Sequence, residues 1–415
     1  MQPGDQLAEV VRLEGARVLA VLVRHLGDWS LAEEAVQEAA LAALRTWPER
    51  GVPDEPRAWL TVTAKHKAVD LLRREQLRPG KERAGAALAE LRRHGPEEAD
   101  PSSVDDDLLR LVFTCCHPSL APEAQLALAL RTLCQLSVAQ VAAALLTTEA
   151  AMARRLTRAR QKIAVARIPY RTPRAVELPG RLATVCGVVH AVYTAGHAPL
   201  GGDAAVDVDL CAEAVRLARL LIATLPDEPM PAAVLALLLL TEARRPARTD
   251  AAGEVVVLAD QDRSRWDADL VAEGSALLTG SLRRSGGVAD PYQLQAAVAL
   301  EHGRAPTYAD TDWTEIVRLY DLLVSVAPST PALLARSVAL AERDGPTAGL
   351  AALAGLADDV RVRGVRSELL SRLGRWAEAA EAAAPRRDDV LTGPERRFRA
   401  ARRAEWLVLA SAERP

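Results

Sequence analysis

A chain of 415 residues is too long for one ordinary domain, and at about 100–200 residues per domain we expect three. Its formal net charge of −3 excludes a uniformly basic nucleic-acid binder, so any DNA-facing surface must be local. Ala, Leu, Arg and Glu dominate and aromatics are 3% of residues, a composition that favours helices and predicts an all-α fold. Cys115, Cys116, Cys134, Cys186 and Cys211 form no regular framework, and the N-terminus lacks the charged-then-apolar pattern of a signal peptide. A reduced, cytoplasmic chain is expected. Its longest apolar run, Ala232 to Leu240, falls short of the roughly 20 residues that span a bilayer, so no membrane is expected among its partners.

Residues 6–76 read as a first helical unit, with Val10, Val11, Leu13, Val18, Leu19 and Leu22 at helical spacing. Ser30 and Glu33 have the spacing of a capping box, which predicts a helix from Ser30 to about Trp47. A turn-rich stretch, 48–56, precedes a helix over Arg57–Glu75, whose later part carries Lys65, Lys67, Arg73 and Arg74 and is a candidate phosphate-facing surface. Pro79-Gly80, His94, Pro96 and the acidic run from Glu97 mark 77–104 as a flexible linker with a short helix at 86–93. Residues 105–167 form a second helical unit. Pro169, Pro173 and Pro179 break the periodicity over 168–179, a second linker. From 180 to 415 short amphipathic segments recur, as stacked helix pairs would require. The stretch Leu373-Gly374-Arg375-Trp376-Ala377-Glu378-Ala379 is similar to the tetratricopeptide pattern, and this region is read as TPR-like.

The strongest local signal spans Ser137 to Ile163. Ser137 and Gln140 make a capping box, Val138, Val141, Ala142 and Leu145 give a short helix one apolar face, and Thr147-Thr148 breaks it before a second helix. Between Met152 and Arg167 stand six basic residues and no acidic one, while Met152, Leu156, Ala159 and Ile163 form an inward stripe. This is the pattern of a helix-turn-helix whose second helix reads DNA. The turn lacks its usual Gly, and a solvated basic face on an ordinary helix pair is the other reading of the same spacing.

Ser137-Val138-Ala139-Gln140-Val141-Ala142 and the run from Glu149 through Arg154-Arg155-Leu156-Thr157-Arg158-Ala159-Arg160 resemble region 4 of the extracytoplasmic-function group of sigma-70-type factors. Asp28 with Ala32-Glu33-Glu34-Ala35-Val36-Gln37-Glu38 is similar to the region 2 core helix, and Pro56-Arg57-Ala58-Trp59-Leu60 through Arg73-Arg74 resembles the promoter-contacting helix after it. Phe113-Thr114-Cys115-Cys116-His117-Pro118, the run Leu258–Asp267 and Thr311-Asp312-Trp313 resemble the subgroup with a long C-terminal extension. His66, Ala40 and Thr194-Ala195-Gly196-His197 depart from the usual pattern.

The resemblance implies a sigma factor that directs promoter-specific initiation: a non-enzymatic protein with core RNA polymerase, through its β′ clamp and β flap, and promoter DNA as partners. It implies polymerase binding by Glu34, Gln37 and Glu38; −10 binding by Lys65, His66, Lys67, Arg73 and Arg74; and −35 binding by Glu149, Ala153, Arg154, Arg155, Arg158, Arg160 and Lys162. Of these, Arg160 and Lys162 are assigned to phosphate. Trp59 is read as a core residue rather than a stacking platform. Cys115-Cys116-His117 has zinc-ligand chemistry but not the spacing, so a buried pair is expected, with no metal and no cofactor. Asp260 to Asp267 is expected to be a salt-bridged helix junction or a surface through which the extension contacts the sigma domains. The extension is read as an in-cis regulator, with an enzyme or a peptide-binding scaffold as the alternative.

Overall fold

The computed structural model describes residues 3–76, 101–199, 201–287 and 289–412. Among these residues there are eighteen α-helices and no strand, only a bridge between Thr249 and Val255. The chain divides into two compact units, 1–188 and 189–415.

In the first unit, α1 (Pro3–Leu26), α2 (Trp29–Arg50) and α3 (Pro56–Gln76) pack on one another. The N-cap of α2 is Asp28, whose carboxylate accepts from Leu31 N at 3.1 Å, rather than the expected Ser30. The helix also runs past Trp47 and through Pro48, because a proline in the last turn removes only one ladder bond; Gly51, at φ 81°, then ends it by donating to Trp47 O. Ala32, Ala35, Ala39 and Ala43 are sealed in the α2 stripe, small enough to bring the neighbouring helices close. Trp59, half-buried, packs edge-on to buried Trp47, with ring centroids 5.4 Å apart.

The expected helix at 86–93 and most of the expected linker, 77–100, lie outside the described residues, and the next helix starts at 101 rather than 105. This α4 (Pro101–Cys115) packs against α1, so the two halves expected to be separate domains form one body. Asp107, fully buried, is bound by Arg24 from α1 at 3.1 Å and by Arg110 at 2.9 Å. Then follow α5 (Pro122–Leu128) with a π turn at Ala129–Leu133, α6 (Val138–Ala144) and α7 (Glu149–Val165).

The prolines of 168–179 do interrupt the helix, but the segment is not a free tether. Ile168 is buried, and the Tyr170 hydroxyl lies 2.9 Å from Ala20 O and 3.0 Å from Asp107 O, within donating distance of both parts of the unit. Arg171 and Arg174 pair with Glu177, which holds that carboxyl far below the usual range. Arg181 donates to Phe113 O and lies over its ring.

The division between units falls inside α8 (Leu178–His197). The second unit continues with α9 (Val208–Thr224), α10 (Pro229–Glu242), α11 (Ala268–Arg284), α12 (Pro291–Arg304), α13 (Trp313–Val326), α14 (Thr330–Asp344), α15 (Pro346–Ala352), α16 (Val360–Ser371), α17 (Trp376–Ala382) and α18 (Gly393–Ala412). Each packs chiefly against its chain neighbours, as stacked hairpins do. The apolar run is the middle of α10, buried on every side from Pro231 to Leu240 because α9, α11 and α12 cover it. Gly274 lets α11 come that close: a Cβ there would stand 2.7 Å from Leu240 Cγ. No helix among the described residues is long and apolar enough to cross a membrane.

Candidate nucleic-acid interface

Helices α6 and α7 make the expected helix-turn-helix. Ser137 Oγ accepts from Gln140 N at 3.2 Å and Gln140 Oε1 accepts from Ser137 N at 2.8 Å, the full capping box. Thr148 Oγ1 accepts from Ala151 N at 3.2 Å and starts α7. Between them Leu146 takes the left-handed conformation, φ 47°, that a Gly usually supplies in such a turn.

Met152, Leu156 and Ala159 are buried, with Ile163 half-buried, and this fixes how α7 faces. Arg154 and Arg158, one turn apart, occupy the middle of the opposite face, with Thr157 and Gln161 exposed between and after them. Glu149, Ala153 and Lys162 are also exposed, while Arg155 is half-buried on the flank. Sequence reasoning missed Thr157 and Gln161; their spacing of three from Arg154 and Arg158 was the signal available.

Arg160 does not share that face. Its guanidinium lies 2.6 Å from Glu33 Oε2, while Arg131 lies 3.0 Å from Glu33 Oε1, so one α2 carboxylate holds two arginines of the second half. Arg160, one position before Gln161, falls on the side of α7 turned toward Glu33, so a phosphate contact by Arg160 would have to replace this ion pair.

On α2, Glu34, Gln37 and Glu38 are exposed together, opposite the alanine stripe. Leu41 and Leu44 continue that face, 44% and 48% exposed, where an isolated helical bundle would place polar residues. These leucines were missed by sequence reasoning, although they fall out of register with the buried positions Ala39, Ala43 and Trp47. On α3, His66, Arg73 and Arg74 are exposed, and Lys65 and Lys67 are half-buried on either flank. Asp70 interrupts this basic strip and lies 3.8 Å from Arg73.

Cys115 and Cys116 are buried thiols, pushed up by burial, Cys116 to about 12. His117 Nδ1 accepts from Ser119 N at 3.1 Å, and no cluster of metal-ligating side chains occurs among the described residues. In the second unit Asp260 to Asp267 forms an internal junction: Arg263 donates to His302 O and Ala305 O, both at 2.8 Å, and to Thr311 Oγ1 at 2.9 Å, and lies over the Trp266 ring.

A helix-turn-helix with an outward arginine pair, built beside a three-helix unit with an exposed acidic and leucine face, defines a DNA-binding transcription factor of the sigma type. Residues 10–78 match the family model described as Sigma-70 region 2 and residues 110–163 match Sigma-70, region 4, while residues 181–282 match a family of unknown function, DUF6596. A protein of Rhizobium meliloti (strain 1021) named "Uncharacterized protein R00370" is 40% identical over 374 residues, covering 88% of each chain. No solved structure matches. The chain belongs to the sigma-70 family of RNA polymerase sigma factors, in its extracytoplasmic-function form with a C-terminal extension. Its function is that of an RNA polymerase sigma factor in transcription initiation.

Proposed function

We infer that the three exposed faces divide the work of a sigma factor among them in the cytoplasm, by binding alone. The α2 face, Glu34, Gln37 and Glu38 with Leu41 and Leu44, docks on the β′ clamp: the carboxylates suit arginines on a partner helix and the leucines bury apolar area. The basic strip of α3, with exposed His66, Arg73 and Arg74 and half-buried Lys65 and Lys67, holds the single-stranded −10 region, where cations follow the backbone. The region 4 half meets the β flap and reads the −35 element, with Arg154 and Arg158 placed to reach base edges, Arg155 at the flank, and Glu149, Ala153 and Lys162 beside them.

The observation that carries this reading is the outward face of α7, basic and without an acid beyond its first residue. Arg160 joins it only if the Glu33 bond breaks, so release of that bond accompanies the spreading of the two halves along DNA. The extension, in the same chain and therefore at high effective concentration, regulates the sigma unit in cis.

The test is selection by the holoenzyme from a random promoter library, with Arg154→Ala and Arg158→Ala compared with the full chain. A base-reading arginine loses about 1–3 kcal/mol at one or two positions, and a phosphate contact weakens all sequences alike. Unchanged selection in both variants would reject α7 as the reader. Truncation after residue 199 changes transcription strongly in one direction if regulation is in cis; equal activity and selectivity would reject that part.

A further inference from the structure

The second unit carries a half-open cavity of about 810 Å³ that plays no part in the sigma reading. It lies among α12, α13, α14, α16 and α18 and the segment 255–259, within the range of about 300–1,000 Å³ usual for small-molecule sites. Its walls are mostly apolar, with Trp313, Tyr320, Phe398 and Trp406 among them.

The charges in the wall do not balance. Arg372 pairs with Glu342 and Arg402 with Glu368, and Arg399 donates to Val360 O at 2.8 Å. Arg244 is different. Its guanidinium lies over Trp266, 5.4 Å from the ring centroid, but the side chain makes no hydrogen bond or ion pair with any described residue, and its Nε is sealed from solvent. Burial first, then the neighbouring Arg248 and Arg263, brings its pKa down to about 10, which leaves it charged at neutral pH. The imidazole beside it is neutral: burial, then Arg244 and Arg263, holds His302 down to about 3. Arg244 is partly buried, and taking a cation out of water is costly unless an anion meets it; no carboxylate among the described residues pairs with it.

We propose that the cavity binds an amphipathic monocarboxylate, its carboxylate bidentate on the Arg244 guanidinium and its apolar body among Trp313, Tyr320, Phe398 and Trp406. One unpaired guanidinium, lying over Trp266, suits a planar monoanion; a phosphate would call for further donors, and of the other wall cations Arg372, Arg399 and Arg402 are already engaged while Arg361 is exposed to solvent. The extension is thereby a sensor of a small organic acid. Occupancy is a property of the extension alone and can be read without polymerase or promoter, so failure here leaves the sigma reading standing.

The probe is 1-pyrenebutyrate, with 1-pyrenebutanol as its uncharged counterpart, titrated into the full chain while tryptophan emission and energy transfer to pyrene are followed. The acid is expected to saturate one site and to bind at least about tenfold more tightly than the alcohol, because only the acid meets Arg244. Arg244→Met lowers the acid to the level of the alcohol and leaves the alcohol unchanged. The same variant without ligand melts no lower than the parent, since removing an unpaired, partly buried cation relieves a cost. Ala335→Trp, which fills the cavity from α14 and leaves Arg244 intact, abolishes binding of both probes. Equal affinity for acid and alcohol, acid binding that survives either substitution, or a lower melting temperature in Arg244→Met would each overturn the proposal.

Discussion

In α7 the arginines stand outward: Arg154 and Arg158 are exposed on a face with no carboxylate to meet them. In the second unit Arg263 and Arg363 turn inward, and each is tied down, Arg263 by two carbonyls and a hydroxyl and Arg363 by Asp389. The contrast separates two uses of one side chain. Outward charge is solvated, costs little, and waits for a polyanion. Inward charge must be satisfied on the spot, which is why Arg244, inward and unsatisfied, points to a ligand.

The largest effect is expected at α2. Glu34→Lys with Glu38→Lys should weaken binding to core polymerase by about 100-fold or more, because attraction becomes like-charge repulsion, while the circular dichroism of the chain is unchanged. Retained pull-down of polymerase would make this a merely solvated face.

Acid should act on the second unit. His302 is 7% exposed and its folded pKa of about 3 lies below the ordinary 6.5, so the unfolded chain binds more protons between those values. Its stabilising contribution is therefore fully present above pH 6.5 and lost as pH falls toward 3, about 2 kcal/mol by pH 5. His197, lowered to about 3 by burial and then by Arg248, acts in the same direction. Urea unfolding at pH 7 and pH 5 measures the loss, and His302→Gln should remove its share of the slope; an identical slope in the variant would mean that His302 does not titrate as described.

Glu33 holds an arginine of α7 that is not turned outward. It is the place in the sigma unit where α7 does turn an arginine inward, and Glu33→Gln should cost about 1–2 kcal/mol of stability by leaving Arg131 and Arg160 short of an anion. The same change should strengthen promoter binding by freeing Arg160. Weaker promoter binding with intact core association would show that Glu33 serves the open form.

The smallest effect belongs to Leu146. It is half exposed and adopts φ 47°, so Leu146→Gly trades a little apolar contact for relief of strain and should change the melting free energy by less than about 1 kcal/mol, toward stability. A clear loss would place Leu146 in the packing of the turn.

These residues also show what the sequence could and could not disclose. The Ser137–Gln140 box and the Thr148 cap were legible because both are contacts across three residues. Ser30 and Glu33 had the same spacing and misled, because Glu33 is engaged by Arg131 and Arg160, about 100 residues or more away in the chain, and no local pattern reports such a pair. The prolines of 168–179 announced a break in the helix correctly. That Tyr170 then lies against Ala20 and Asp107 depends on the packed fold and leaves no periodicity. The exposed arginines of α7 could be read from composition, whereas the cavity around Arg244 is assembled from residues spread between 244 and 406.

The most direct test of the sigma account is run-off transcription by purified core polymerase on a random promoter library, with and without the full chain. The account predicts that the chain makes core polymerase start at a shared pair of sequence blocks at fixed spacing, and that Glu34→Lys with Glu38→Lys abolishes this selection. Start sites that are the same with and without the chain would contradict it.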